Sequence, residues 1–360
     1  MQEVHDFIST ARAAFRRLHG LAPDAPPATF SDAPRAFNAW ARKHRLTGLL
    51  AINTPDAGET LRTAAYGQAQ HSARFAGEAE RLYAWLAPRL PALALVKGPA
   101  LAAQAWPQPG LRSFDDLDFL CARQDYPHLL AGMREAGYAP ATDNPRRMEH
   151  LWHYGWGVAF RHPDGFLVEA NHRFFPPHYP WPRRLCVSGR LGFAPQRLDT
   201  ATVRAPTPAL HLLLSCEHAV WHGWGRLAWI ADVAGLLALH PEIQSAANIL
   251  ADGCPFAQQT VAATCGLAEK IFGPGLSSSG LPESLAAQAA AMFSETESAL
   301  AGDQRRQFHE RFMTGREKTA YRLRRIFTPG DGDFKRFPLP PGLRWGYWLL
   351  RPARAASSGS

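Results

Sequence analysis

Residues 93–121, LALVKGPALAAQAWPQPGLRSFDDLDFLC, restrict the fold more tightly than any other stretch. A run of small and branched apolar residues ends at Lys97-Gly98, and Pro99 then takes a first helical position, where its missing amide hydrogen costs nothing. The predicted order is a buried strand, a tight turn, a short helix through Trp106, and a second strand over Asp116-Leu117-Asp118-Phe119-Leu120. Side chains two apart on a strand share a face, so Asp116 and Asp118 project together while Leu117 and Phe119 enter the core. Asp115 falls on the opposite face. Two carboxylates side by side repel unless a cation lies between them, and aspartate is a poor strand former. The pattern therefore costs stability unless something binds. Mg²⁺ suits it, with Mn²⁺ as a substitute, because hard oxygen ligands and substrate phosphates complete its octahedron.

A two-metal site calls for a third carboxylate, and FLVEANHRF supplies Glu169. On a strand Leu167, Glu169 and Asn171 share one face, with Val168 and Ala170 on the other. An edge strand with one wet face is the packing alternative. Gly98 allows a ligand close to the backbone, and the helix that follows offers its positive dipole end to a phosphate. Lys97 adds a point charge and Arg112 a forked donor, although a Gly-Pro turn is ordinary turn chemistry and a lone arginine is usually a surface residue.

Apolar residues recur at three- and four-residue spacing from residue 3 to about 90, as in VHDFISTARAAFRRL and ETLRTAAYGQAQHSARFAGEAERLYAWL. Short apolar runs then alternate with glycine and proline through Asn171. After FFPPHYPWPRR, helical periodicity returns and persists past residue 320. The expected organisation is α+β: a helical region over 1–90, a small mixed β-sheet core over 91–205, a C-terminal helical domain over 206–350, and a tail over 351–360. PGLSSSGLPE and TPGDGDFKRFPLPPGL read as loops.

The chain has 360 residues and a formal charge of +8, which favours an anionic partner. The arginines are dispersed and no aromatic-interleaved basic block stands out, which argues against nucleic acid. Cys121, Cys186, Cys216, Cys254 and Cys265 are odd in number and scattered, so they read as free thiols. No window is long and apolar enough to span a membrane, and the opening MQEVHDFIST lacks an export signal. A cytoplasmic monomer without membrane contact is the expectation.

Lys97-Gly98, Arg112 and Asp116-Leu117-Asp118, followed by a helix closing in REAGY (134–138), resemble the uncharacterised bacterial nucleotidyltransferases of the polymerase-β-like superfamily. The stretch HAVWHGWGRLAWIAD (218–232), read as one helix, and the ending LPPGLRWGYWLLRPAR extend the resemblance over roughly residues 30–355. It implies Asp116, Asp118 and Glu169 as catalytic metal ligands and Lys97, Gly98 and Arg112 at the nucleotide, with His218, His222, Arg226 and Asp232 contacting nucleotide or acceptor. It further implies a nucleoside triphosphate as substrate and a small molecule, peptide or protein as acceptor. The chain departs from the superfamily in Gly98-Pro99, where Gly-Ser or Gly-Gly is usual, and in Asn171, where relatives often carry histidine. His172 therefore receives no role. His211, His218 and His222 share a helical face, but the neighbouring tryptophans favour packing over zinc, and EHLWH (149–153) lacks the general-base position of a metalloprotease. Transfer of the γ-phosphoryl group, or a silent nucleotide-binding module, are the competing functions.

Overall fold

Periodic segments close into helices where the sequence places them: Gln2–Leu18, and a 28-residue helix over Glu59–Leu86. The computed structural model describes residues 2–22, 34–53, 58–182, 184–185, 191–277, 280–294 and 302–357, and Cys186 lies outside them. The fold is mixed α+β and 61% helical. The chain forms two compact units, each assembled from three segments: Met1–Gly77, Lys97–Phe114 and Pro206–Phe312 in the first, and Glu78–Val96, Asp115–Ala205 and Met313–Ser360 in the second.

The first unit is helical. The short helix Gly98–Ala105 packs on Leu227–Leu239, which in turn packs on Pro208–Trp221 and Pro255–Phe272. Contact between the first two is close because residue 235 is glycine: an added Cβ would overlap the Ala105 carbonyl oxygen. The stretch 218–232 is not one helix. The first helix ends at Trp221 and the next begins at Leu227. Gly223 and Trp224 both take left-handed backbone, at φ 63° and 58°. Trp224 N–H donates to the Ala219 carbonyl at 2.7 Å and Gly223 N–H to Val220 at 2.9 Å, the paired closure that ends a helix at a left-handed glycine. Left-handed backbone strains a tryptophan, and full burial of its indole, whose Nε1 donates to Thr264 Oγ1 at 3.2 Å, offsets that strain.

The second unit is built on strands β1 (Ala94–Val96), β2 (Leu117–Leu120), β3 (Ala139–Pro140), β4 (Gly157–Arg161) and β5 (Leu167–Asn171), with a separate hairpin of β6 (Phe193–Arg197) and all but the last residue of β7 (Thr202–Pro206). The main sheet runs β1-β2-β5-β4-β3, with β2 and β5 parallel and the other pairs antiparallel. Leu117, Phe119, Val168 and Ala170 are fully buried, so both central strands turn the expected apolar set to the core. The stretch 328–343, read as loop, contains the helix Asp331–Arg336. Asp333 accepts from Gly330 N–H at 2.7 Å, and Arg147 grips Asp331 at 2.7 and 2.8 Å, so capping and an ion pair hold a helix too short for periodicity to reveal. Residues 351–357 of the segment read as a tail continue the helix Tyr347–Ser357.

Candidate functional site

In the sheet, β2 begins one residue later than expected, at Leu117, so Asp116 sits half-buried in the bend at 115–116. Asp118 lies within β2, 6% exposed. Its parallel register partner is Glu169 on β5, and on its other side Val96 of β1. Laterally paired residues of a sheet lie about 4.8 Å apart and point to the same face, so the ladder sets the Asp118 and Glu169 carboxylates side by side. Between β2 and β4, β5 is interior to the sheet, which removes the edge-strand explanation for a glutamate there. Of the remaining residues on that strand, Asn171 is buried, and its carbonyl accepts from Cys121 N–H at 2.8 Å. His172 Nε2 meets the Trp152 carbonyl at 2.7 Å, and burial pushes its pKa down to about 4.

Among the described residues no group of three or more His, Cys, Asp or Glu side chains could hold a metal ion by itself. The adjacent pair still fits Mg²⁺ in chemistry, since that ion is usually held by one or two carboxylates and takes its remaining oxygens from water and substrate phosphates.

In the helical unit, the sequence-nominated residues Lys97, Arg112, His218 and Asp232 line a single small pocket of about 30 Å³, together with Ser215 and Trp229. Lys97 heads the helix Gly98–Ala105 with φ 53° and ψ −146°, a conformation rare for a residue with a Cβ, and Gly98 follows at φ 41°. That helix start has no side-chain cap. A chain of hydrogen bonds holds the turn. Gln104 Nε2 donates to the Pro206 carbonyl at 2.9 Å, which fixes its Oε1 against His211 Nδ1 at 2.7 Å; Nδ1 therefore carries the proton, and Nε2 accepts the Lys97 backbone N–H at 3.4 Å. Burial, then the charges of Arg112 and Lys97, push the His211 pKa down to about 3, which keeps this tautomer neutral.

Arg112 forms a forked pair with Asp232, Nε to Oδ1 at 2.8 Å and Nη2 to Oδ2 at 2.9 Å, and Trp106 Nε1 donates to the same Oδ1 at 2.8 Å. His218 and His222 stand 4.6 Å apart by ring centroids, 5.2 and 4.8 Å from the Trp229 ring, and the Arg226 guanidinium lies over that ring at 5.2 Å. Burial lowers the His218 pKa well below normal and that of His222 to about 4, with nearby cations adding to both shifts. Both imidazoles are neutral at pH 7, so each ring offers one donor and one acceptor beside the cationic groups.

Sequence reasoning missed His211 and Gln104 as positioning groups. His211 lies seven residues before His218 on one helical face, but nothing local links it to a backbone amide 114 positions away. The family model described as uncharacterised nucleotidyltransferase matches residues 31–273, more than half of the chain. No curated protein matches it.

Proposed function

Because this chain belongs to the uncharacterised nucleotidyltransferase family and is a transferase, we propose that it moves a nucleoside monophosphate from a nucleoside triphosphate to a hydroxyl of a small-molecule, peptide or protein acceptor. The reading rests on one observation: Asp118 and Glu169 are register partners at the centre of the sheet, like charges that the fold keeps adjacent. Asp116, in the bend before β2, is the third carboxylate of this reading, although among the described residues it forms no metal-holding group of three with Asp118 and Glu169. A divalent ion bound there, Mg²⁺ or Mn²⁺, supplies positive charge to the triphosphate oxygens and neutralises the carboxylates.

The acceptor oxygen attacks the α-phosphorus, the bond to the β-phosphate oxygen breaks, and pyrophosphate leaves. Glu169, only half-buried, is a ligand or takes the proton of the acceptor hydroxyl. Lys97 and the start of its helix are suited to phosphate oxygens, and Gly98 lets them come near the backbone. His218, His222 and Arg226 contribute neutral and cationic donors for nucleotide or acceptor. Arg112 and Asp232 shape the pocket through their forked pair, in which Arg112 uses Nε and Nη2 but not Nη1.

The test is transfer of label to a cell extract from triphosphates labelled at the α- or the γ-position. Label retained from the α-position alone, with a mass gain of one nucleoside monophosphate, is the expected result. Label from the γ-position, with a gain of one phosphate, would replace this reading with phosphoryl transfer.

A further inference from the structure

Eight of the fifteen exposed large hydrophobic side chains among the described residues fall between Leu323 and Leu349. Residues 313–360 also carry ten Lys and Arg against three Asp and Glu, which is seven of the chain's eight net positive charges. Apolar surface and positive charge therefore concentrate in the same 48 residues, all in the second unit. Neither feature is a general property of this protein's surface.

The segment presents this surface in a fixed way. On the helix Gly315–Phe327, Tyr321 is buried while Leu323, Ile326 and Phe327, at i, i+3 and i+4, are exposed. Arg316, Arg322 and Arg324 are exposed on the same helix. The helix Tyr347–Ser357 packs against it, with Arg351 donating to the carbonyls of Thr328 and Arg325 at 3.2 and 3.4 Å. Tyr347 is 1% exposed, and its hydroxyl donates to the Phe337 carbonyl at 2.7 Å and accepts Leu339 N–H at 2.9 Å. That anchor leaves Trp345 and Leu349 outward, at 61% and 67% exposure, with Trp348 between them about half exposed.

We propose that this C-terminal face docks on an anionic lipid surface. Tryptophan and leucine facing outward, flanked by arginines on short helices that are too polar to cross a bilayer, match the chemistry of an interfacial element: indoles settle at the headgroup level and basic side chains meet lipid phosphates. No helix among the described residues is long and apolar enough to span a membrane, so the attachment is peripheral. The exposed aliphatic side chains Leu323, Ile326 and Leu349 favour a lipid surface, whose acyl boundary takes up apolar area, over nucleic acid, whose binding is carried mainly by phosphate charge.

The experiment is cosedimentation of the full chain with vesicles of equimolar phosphatidylglycerol and phosphatidylcholine, beside pure phosphatidylcholine vesicles, at 50 and 500 mM salt. Binding to the anionic vesicles at least tenfold tighter than to the neutral ones, weakened by salt, is expected. Trp345→Ser with Leu349→Ser should weaken it about tenfold, as should Arg324→Glu with Arg336→Glu, without loss of thermal stability or of nucleotide transfer. Ile249→Ser, an equally exposed position on the first unit, should leave it unchanged. Equal binding to both vesicle types, or full binding by both double variants, overturns the proposal. So does retention of RNA or self-association that the double variants abolish while vesicle binding is absent.

Discussion

Asp118 and Glu169 set two carboxylates side by side across a parallel ladder, whereas Arg112 and Asp232 set opposite charges in a forked pair closed by an indole N–H. In the first region backbone pairing makes two residues of the same charge type neighbours. In the second, side chains neutralise one another and the neighbouring histidines are kept uncharged by burial. Adjacent carboxylates favour a cation between them, as the proposed function requires, whereas a forked pair adds rigidity. The same substitution type should therefore act differently in the two regions.

The largest expected effect is on the sheet. Asp118→Asn should lower nucleotide transfer by about 10³-fold while leaving the melting temperature unchanged or higher, because one of two adjacent like charges is gone; activity and a thermal melt on the same sample check both halves. Asp232→Ala should do the reverse in kind. It leaves Arg112, with its side chain 12% exposed, without its partner and should cost about 3–5 kcal/mol in denaturant unfolding. Joint replacement of Arg112 and Asp232 by leucine should recover most of that loss.

A smaller effect should appear at the turn. His211→Leu removes the acceptor for the Lys97 amide and should raise KM for the triphosphate about tenfold, roughly one hydrogen bond's worth, with kcat less affected. His211→Gln, whose side-chain oxygen can accept the same N–H, should restore it. A general collapse of folding would lower both constants and would not be rescued.

The smallest effect is in pH. His222 has a folded pKa of about 4, below its unfolded value, so the unfolded chain binds the extra proton between the two. Its contribution is complete above pH 6.5 and is lost as pH falls from 6.5 toward 4. His222→Gln should flatten that decline by on the order of 1 kcal/mol at pH 5, measured as denaturant stability at pH 7 and pH 5.

Much of this was legible in the sequence because local rules governed it. Pro99 and the small apolar run define the strand-turn-helix at 94–105, and the alternation in LVEAN gives β5 its core face. The carboxylates were nominated by type and spacing, but their adjacency depends on the parallel register of β2 with β5, which pairs residues 51 positions apart. The break at 222–226 was missed because its two apolar flanks continue one helical pattern, while a left-handed Gly223 and Trp224 are stabilised by packing and by Thr264 on another helix. The fork between Arg112 and Asp232 likewise joins residues 120 apart, and no local signal carries it.

The central claim is that Asp118 and Glu169 work as one unit. A double-mutant cycle on nucleotide transfer with Asp118→Asn, Glu169→Gln and the pair tests it most directly. The account predicts that each single change removes nearly all transfer and that combining them costs no more. Independent, additive losses, or a Glu169→Gln variant with full activity, would contradict it.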